Sequence, residues 1–202
     1  ASHELRSPLT RIRMGLELMG GNQPSPAFRE EILRNIAELD QLVDEILLAS
    51  RLDAREADVG TVELVDLIGL AAEECARVDA ELDVTAVPEG LEVRGVAKLL
   101  RRALRNLLEN ARRYSQGDIT VVLQRHDGQA QLSVLDRGPG VPPALRERIF
   151  EPFYRLPGAS ERAGGVGLGL ALVRSIAQRH NGSVRCEDQP DGSGGACFVL
   201  RL

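Results

Sequence analysis

Apolar residues in the first fifty positions recur at one rhythm. Leu5, Leu9, Ile12, Leu16 and Met19 step by four, three, four and three. After a break rich in glycine and proline at residues 20–26, Ile32, Ile36, Leu39, Val43 and Ile46 step the same way. Such steps keep one stripe of a helix apolar, the seam spacing of coiled coils and bundles. Two such helices joined by a short turn predict an antiparallel hairpin. A lone hairpin buries its stripe poorly. Pairing with a second copy into a four-helix bundle is therefore expected, giving a homodimer through residues 1–53. The competing arrangement is a hairpin packed on the rest of its own chain.

The rhythm stops at the polar residues 54–60, a predicted linker, and residues 61–202 mix periods of two and 3.6. Residues 62–78 predict a strand onset followed by a helix, and residues 82–87 and 91–94 predict short strands. A long helix is expected over 97–115, with Leu99, Leu100, Ala103, Leu104, Leu107, Leu108 and Ala111 on its buried side. Residues 119–125 and 129–136 predict a hairpin turning at Asp127 and Gly128. A helix over 168–179 ends at Asn181 and Gly182, and strands follow at 183–187 and 196–202. The second half is thus expected to be an α/β sandwich on a mostly antiparallel sheet, and the whole chain α+β.

Composition narrows the picture. Of 202 residues 43% are hydrophobic but only 3% aromatic, so the core must be aliphatic. A net charge of −5 argues against a broad nucleic-acid surface. Cys75, Cys186 and Cys197 are scattered without metal-ligand spacing, which suits a reduced, cytosolic compartment. No apolar run has the ~20 residues of a membrane span. The chain opens inside a helical pattern and is expected to be a piece of something longer.

Polar residues set against these elements carry the chemistry. With Leu5 and Leu9 on the seam, His3 and Ser7 share another face of the helix, and His3 is expected to meet solvent. An exposed neutral imidazole is a competent phosphoryl acceptor, although a lone surface histidine is commonplace. Pro8 is expected to kink this helix. On the long helix, Asn106 and Asn110 lie four apart, so both amides point to one side. Asparagine disfavours helix interiors. An amide oxygen can supply one of the few protein ligands that a phosphate-bound magnesium ion needs, or both amides can satisfy nearby backbone.

Asp136 ends a predicted strand and precedes Gly138 and Gly140. Its carboxylate can accept from an exocyclic amine of adenine while the glycines admit the base, or it can mark an ordinary turn. Gly165, Gly167 and Gly169 lead into a helix whose first amides suit phosphate. A dinucleotide fingerprint fails here, because no strand runs into this loop and no strand–helix–strand repeat follows.

Taken in order, these motifs resemble the cytoplasmic core of bacterial sensor histidine kinases. The H box begins at His3, the N box covers 106–115, the first glycine box 136–140, the F box 150–155 and the second glycine box 165–170. Gly192, Gly194 and Gly195 resemble the last glycine box. The resemblance spans nearly the whole chain. It implies a dimerising phosphotransfer hairpin at 1–53 and, at 61–202, an ATP-binding domain of the gyrase, chaperone and kinase superfamily. It implies ATP and Mg2+ as cofactors. The γ-phosphoryl would move to His3 and then to an aspartate on the receiver domain of a response regulator.

On that resemblance Glu4 assists His3 as general base, and Ser7 stands where a hydroxyl serves dephosphorylation of the regulator. Glu4 follows His3 directly and so points about 100° away on a helix. The nucleotide would meet Asn106, Asn110 (the magnesium ligand), Arg113, Tyr114, Asp136, Gly138, Gly140, Phe153, Arg155, Gly165, Gly167, Leu168, Gly169 and Leu170. Residues about 153–166 correspond to a mobile lid. Lid and linker must let the ATP domain reach the bundle. Three departures stand out: Ser7 for the commoner Thr, Val166 for a small hydroxyl residue, and Val96-Ala97 where an acidic residue often starts the N-box helix. The last predicts a weak cap. The resemblance also implies a membrane anchor upstream, which leaves this chain on the cytoplasmic side of a bacterial inner membrane. Rival expectations are a core acting chiefly as phosphatase, an ATP-gated dimer scaffold, and an ATPase of the same superfamily without phosphohistidine.

Overall fold

The computed structural model describes residues 12, 14, 26–53, 60–156 and 167–202. Most of the expected first helix, with His3, Glu4 and Ser7, lies outside the described residues, as do most of the 20–26 turn, most of the linker, and Gly165 with most of the lid. The chain forms two compact units, Ala1–Ser50 and Arg51–Leu202.

Helix α1 spans Pro26–Asp53, all but its last three residues in the first unit. Proline suits the first helical position, where its missing N–H has no partner to lose. Along the expected seam, Ile32, Leu39 and Ile46 are half-buried, whereas Ile36 and Val43 are exposed. Leu33 and Leu47 are exposed as well, at 63% and 51%.

The second unit starts with strand β1 (Glu63–Asp66) and helix α2 (Leu67–Val78). Asp66 caps α2 by accepting from the Ile68 N–H at 2.9 Å. Strands β2 (Glu81–Asp83) and β3 (Glu92–Gly95) precede helix α3 (Ala97–Tyr114). Then come β4 (Thr120–His126), β5 (Gln129–Leu135), two single-turn 3₁₀ segments, helix α4 (Gly169–Arg179), β6 (Ser183–Glu187) and β7 (Cys197–Arg201). The expected strand over 82–87 is cut to its first residues, because the Asp83 carboxylate accepts from both the N–H and the O–H of Thr85 and folds the chain into a turn.

β1 pairs only with β3, while the main sheet runs β2-β4-β5-β7-β6. Among the described residues only the β2–β4 pair is parallel. Asp127 and Gly128 both take positive φ, 51° and 81°, as a primed two-residue hairpin turn requires. The register places Val121, Leu123, Leu132, Val134, Phe198 and Leu200 on one face of the sheet, all buried. α3 packs against α2, α4 and β5. Every residue expected on its buried side is buried, each leucine contributing about 1.5–3 kcal/mol relative to exposure.

One carboxylate is buried in this layer. Glu74 on α2 is 2% exposed and accepts from Arg105 Nε and Nη2 of α3 at 2.9 and 2.8 Å, with Arg101 Nη1 at 3.2 Å. The arginine fork fits both carboxylate oxygens. These bonds, Arg105 foremost, hold the Glu74 carboxyl below its usual range against the opposing pull of burial.

Candidate functional site

Asp136 sits just past the end of β5 and is buried, at 4% exposure. Its Oδ1 accepts from the Gly138 N–H at 2.8 Å and the Ala196 N–H at 3.3 Å. Both donors fall on Oδ1, and Oδ2, without a donor among the described residues, is left for an incoming amine. Burial raises the carboxyl above its ordinary range, and the two amide bonds pull the other way.

The backbone around it is packed so closely that only glycine fits. A Cβ on Gly138 would lie 2.7 Å from the Tyr114 carbonyl oxygen, and one on Gly140 2.9 Å from that of Gly195. Gly195, at φ 97°, would bring a Cβ to 1.9 Å from the Asp136 carbonyl oxygen. The first glycine box is thereby wedged between the end of α3 and the last glycine box.

Two supports went unnoticed in the sequence. The buried Gln189 amide donates to the Asp136 carbonyl oxygen. Ser115 Oγ accepts from the N–H groups of Gly117 and Arg137, both at 3.1 Å, and pins the chain after α3 to the first glycine box. Ser115 closes the N box, so its position gave some signal. Gln189 gave none, because its partner lies 53 residues away.

The second glycine box opens α4. Leu168 is its N-cap and makes no side-chain cap bond, so no side chain at that position competes for the first amides. Gly167, at φ 76°, accepts from the Phe153 N–H at 2.9 Å, and a Cβ there would meet the Tyr154 carbonyl oxygen at 2.8 Å. Phe153 itself takes φ 65°, uncommon for a bulky residue. F box and second glycine box are therefore in backbone contact.

The two asparagines of α3 part company. Asn106 is 4% exposed, and its Nδ2 donates to the Gly169 carbonyl oxygen at 3.2 Å, tying α3 to the first residue of α4. Asn110, a turn later, is half-buried. Tyr114, Arg155 and Leu170 are half-buried, Leu168 is buried and Arg113 is exposed. The structure thus brings together Asp136, Gly138, Gly140 and Tyr114 as one group. Asn106 with Gly169, and Phe153 with Gly167, form two more. Among the described residues no side-chain hydrogen bond or ion pair joins Asn110 or Arg113 to them, and His3, Glu4, Ser7 and Gly165 lie outside the described residues. Among the described residues no cluster of three or more His, Cys, Asp or Glu could hold a metal. A magnesium ion carried mainly by phosphate needs none, and the Asn110 amide oxygen would suffice.

Helices covering one face of a mostly antiparallel sheet, with glycine boxes around a buried carboxylate, define an ATP-binding sandwich domain. The chain belongs to the histidine kinase-, DNA gyrase B- and HSP90-like ATPase family, which it matches over residues 95–202, and residues 1–55 match the His Kinase A phospho-acceptor domain. The sensor histidine kinase CpxA of Escherichia coli (strain K12) is 37% identical over 197 residues, 95% of this chain and 43% of CpxA. The signal transduction histidine-protein kinase/phosphatase MprB of Mycobacterium sp. (strain KMS) is 36% identical over 219 residues, 100% of this chain and 42% of MprB. A solved mycobacterial MprB structure superposes with a TM-score of 0.60 at 33% identity, covering 70% of this chain and 97% of that one. A structure of histidine kinase ThkA with the response regulator protein TrrA shares the fold, with a TM-score of 0.74 at 23% identity over 100% of this chain and 59% of that one. The chain spans less than half the length of the curated relatives it matches.

Proposed function

We propose that this chain is the catalytic core of a two-component sensor histidine kinase, which phosphorylates its own His3 from Mg-ATP. The observation that carries the reading is the Asp136 site: a buried carboxylate with one oxygen held by two amides, the other available, and glycine backbone on both sides.

In the proposed reaction a ring nitrogen of His3 attacks the γ-phosphorus, and the bond to the leaving oxygen of ADP breaks with its electron pair. The imidazole proton passes to Glu4. An aspartate oxygen of a response regulator then attacks the phosphorus, the P–N bond breaks with its electron pair on nitrogen, and the ring takes a proton back to regenerate the imidazole. Asp136 Oδ2 accepts from the adenine amine, and the α4 amides with Arg113 meet the phosphates. Asn110 would hold magnesium, which would supply neutralisation of phosphate charge. The chain's own contribution is positioning.

A response-regulator partner is supported by the His Kinase A match and by the ThkA structure, whose title names a response regulator protein. Ser7 and the kinase/phosphatase name of MprB support dephosphorylation of that regulator as well. A homodimer through residues 1–53 is supported by the exposed seam residues Ile36 and Val43. We assign 1–53 to the dimerising phosphotransfer hairpin, 54–60 to a linker and 61–202 to the ATP-binding domain. Among the described residues no helix is long and apolar enough to cross a membrane. The sensor histidine kinase relatives support placing this chain in the cytoplasmic portion of an inner-membrane protein.

The magnesium role is tested by Asn110→Ala. Magnesium should raise wild-type ATP affinity over that in EDTA by on the order of tenfold. In the variant the difference should shrink to within about twofold. A variant that keeps the full magnesium effect would refute Asn110 as the ligand.

A further inference from the structure

We infer that His180 is a positioning residue for phosphate binding, anchoring the uncapped start of the helix that carries Asn106 and Asn110. The inference rests on the nucleotide reading above. Val96, the N-cap of α3, offers no side-chain oxygen and makes no side-chain cap bond. It is 3% exposed, so its own N–H needs a partner from within the protein. That partner comes from 84 residues away, as the Val96 N–H donates to His180 Nε2 at 3.0 Å.

The other ring nitrogen fixes the imidazole's state. His180 Nδ1 lies 2.7 Å from the Ile176 carbonyl oxygen, in the last turn of α4. A carbonyl can only accept, so Nδ1 carries the proton. An amide N–H can only donate, so Nε2 is bare. Both contacts are made at once by one species alone, the neutral ring protonated at Nδ1. Gly95 makes room for it, because a Cβ there would lie 2.7 Å from Cδ2 and 2.9 Å from Nε2 of His180.

This bond pairs with another at the opposite end of α4, reached from the middle of α3. The Asn106 amide binds the carbonyl of Gly169, where α4 begins, and His180 binds the N–H of Val96, where α3 begins. The helices are therefore antiparallel. Ten residues separate Val96 from Asn106 and eleven separate Gly169 from His180, as their numbers show. At ~1.5 Å per residue the spans are about 15 and 16 Å. Two ties at matched spacing fix the helices against sliding past one another. What they align is the α4 N-terminus, which meets phosphate, with Asn110, the proposed magnesium ligand. Asp136 lies on neither helix. It keeps its own bonds to the Gly138 and Ala196 amides, although Ser115 ties the end of α3 to the first glycine box. His180 should therefore govern affinity for phosphates far more than for adenine.

The test compares wild type, His180→Phe and His180→Gln at a temperature where all are folded, titrating each with Mg-ATP and with adenosine. Phenylalanine keeps the ring volume without the acceptor. Glutamine can present an oxygen to Val96. His180→Phe should bind Mg-ATP about tenfold more weakly, bind adenosine within about twofold of wild type, and lose hydrogen-exchange protection at the Val96 amide; His180→Gln should recover most of all three. Loss of fold alone would not separate the two ligands. Mg-ATP affinity within twofold of wild type in His180→Phe, equal loss of both ligands, or no recovery in His180→Gln would each overturn the inference. If His180→Phe does not fold, Gly95→Ala, which displaces the ring, should give the same phosphate-selective loss, and unchanged Mg-ATP affinity there would overturn it. A wild-type chain that binds no Mg-ATP would sink the nucleotide reading itself and this inference with it, a result distinct from any variant-specific change.

Discussion

Asp136→Asn should weaken Mg-ATP binding by on the order of 100-fold and leave the fold as stable as before, or more so. The carboxylate's Oδ1 is held by the Gly138 and Ala196 amides, and the asparagine carbonyl can keep both bonds. At Oδ2 the substitution puts a donor where the adenine amine also donates. A charge-assisted bond is lost and two donors face each other in a buried site. The stability part follows from the raised carboxyl. Because folding raises it, the folded chain holds the proton more tightly than the unfolded chain. Stability therefore falls as pH rises through the interval between the two values, and the whole penalty is present above it. Asparagine has no such penalty at neutral pH. Calorimetric titration with Mg-ATP and thermal melts at pH 7 check both halves. Affinity within about threefold of wild type would show that Asp136 does not read the base.

Glu74→Gln should cost the ATP-binding domain about 2–3 kcal/mol, lowering its midpoint by roughly 5–10 °C. Removing one member of a buried pair costs about 3–5 kcal/mol. The lower figure applies because Arg101 and Arg105 are 37% and 31% exposed and regain water. The pH response has the opposite sign to that of Asp136. A depressed carboxyl contributes stability that is complete above the unfolded value, near the ordinary 4.5, and is lost as pH falls through the folded value. Melting curves from pH 7 down to 3 should thus show wild type and Glu74→Gln converging in acid. A constant gap between them would mean that charge at Glu74 contributes nothing.

Much of this domain could be read from periodicity. The buried side of α3 follows directly from its apolar spacing, and the Asp127-Gly128 turn from two residues that tolerate positive φ. Asp136 and the glycine boxes were also visible, because close backbone approach demands glycine whatever surrounds it. Local chemistry that competes with a strand was harder to see: Thr85 folding back on Asp83 shortened β2. Asn106 and Asn110 were equivalent in sequence, and only the packing of α4 separates them. Gln189 and His180 act on backbone groups 53 and 84 residues away, which no spacing rule reports. The absence of a cap at Val96 was legible, and the histidine that holds the Val96 N–H was not.

Phosphohistidine chemistry at His3 is the central claim, and one labelling experiment tests it directly. Purified chain and His3→Gln are incubated with γ-labelled Mg-ATP, and the labelled protein is then treated with acid and with base. Wild type should take up label that acid removes and base preserves, as a phosphoramidate requires, while His3→Gln binds ATP and takes up none. Label retained in His3→Gln, or stable in acid, would contradict the account.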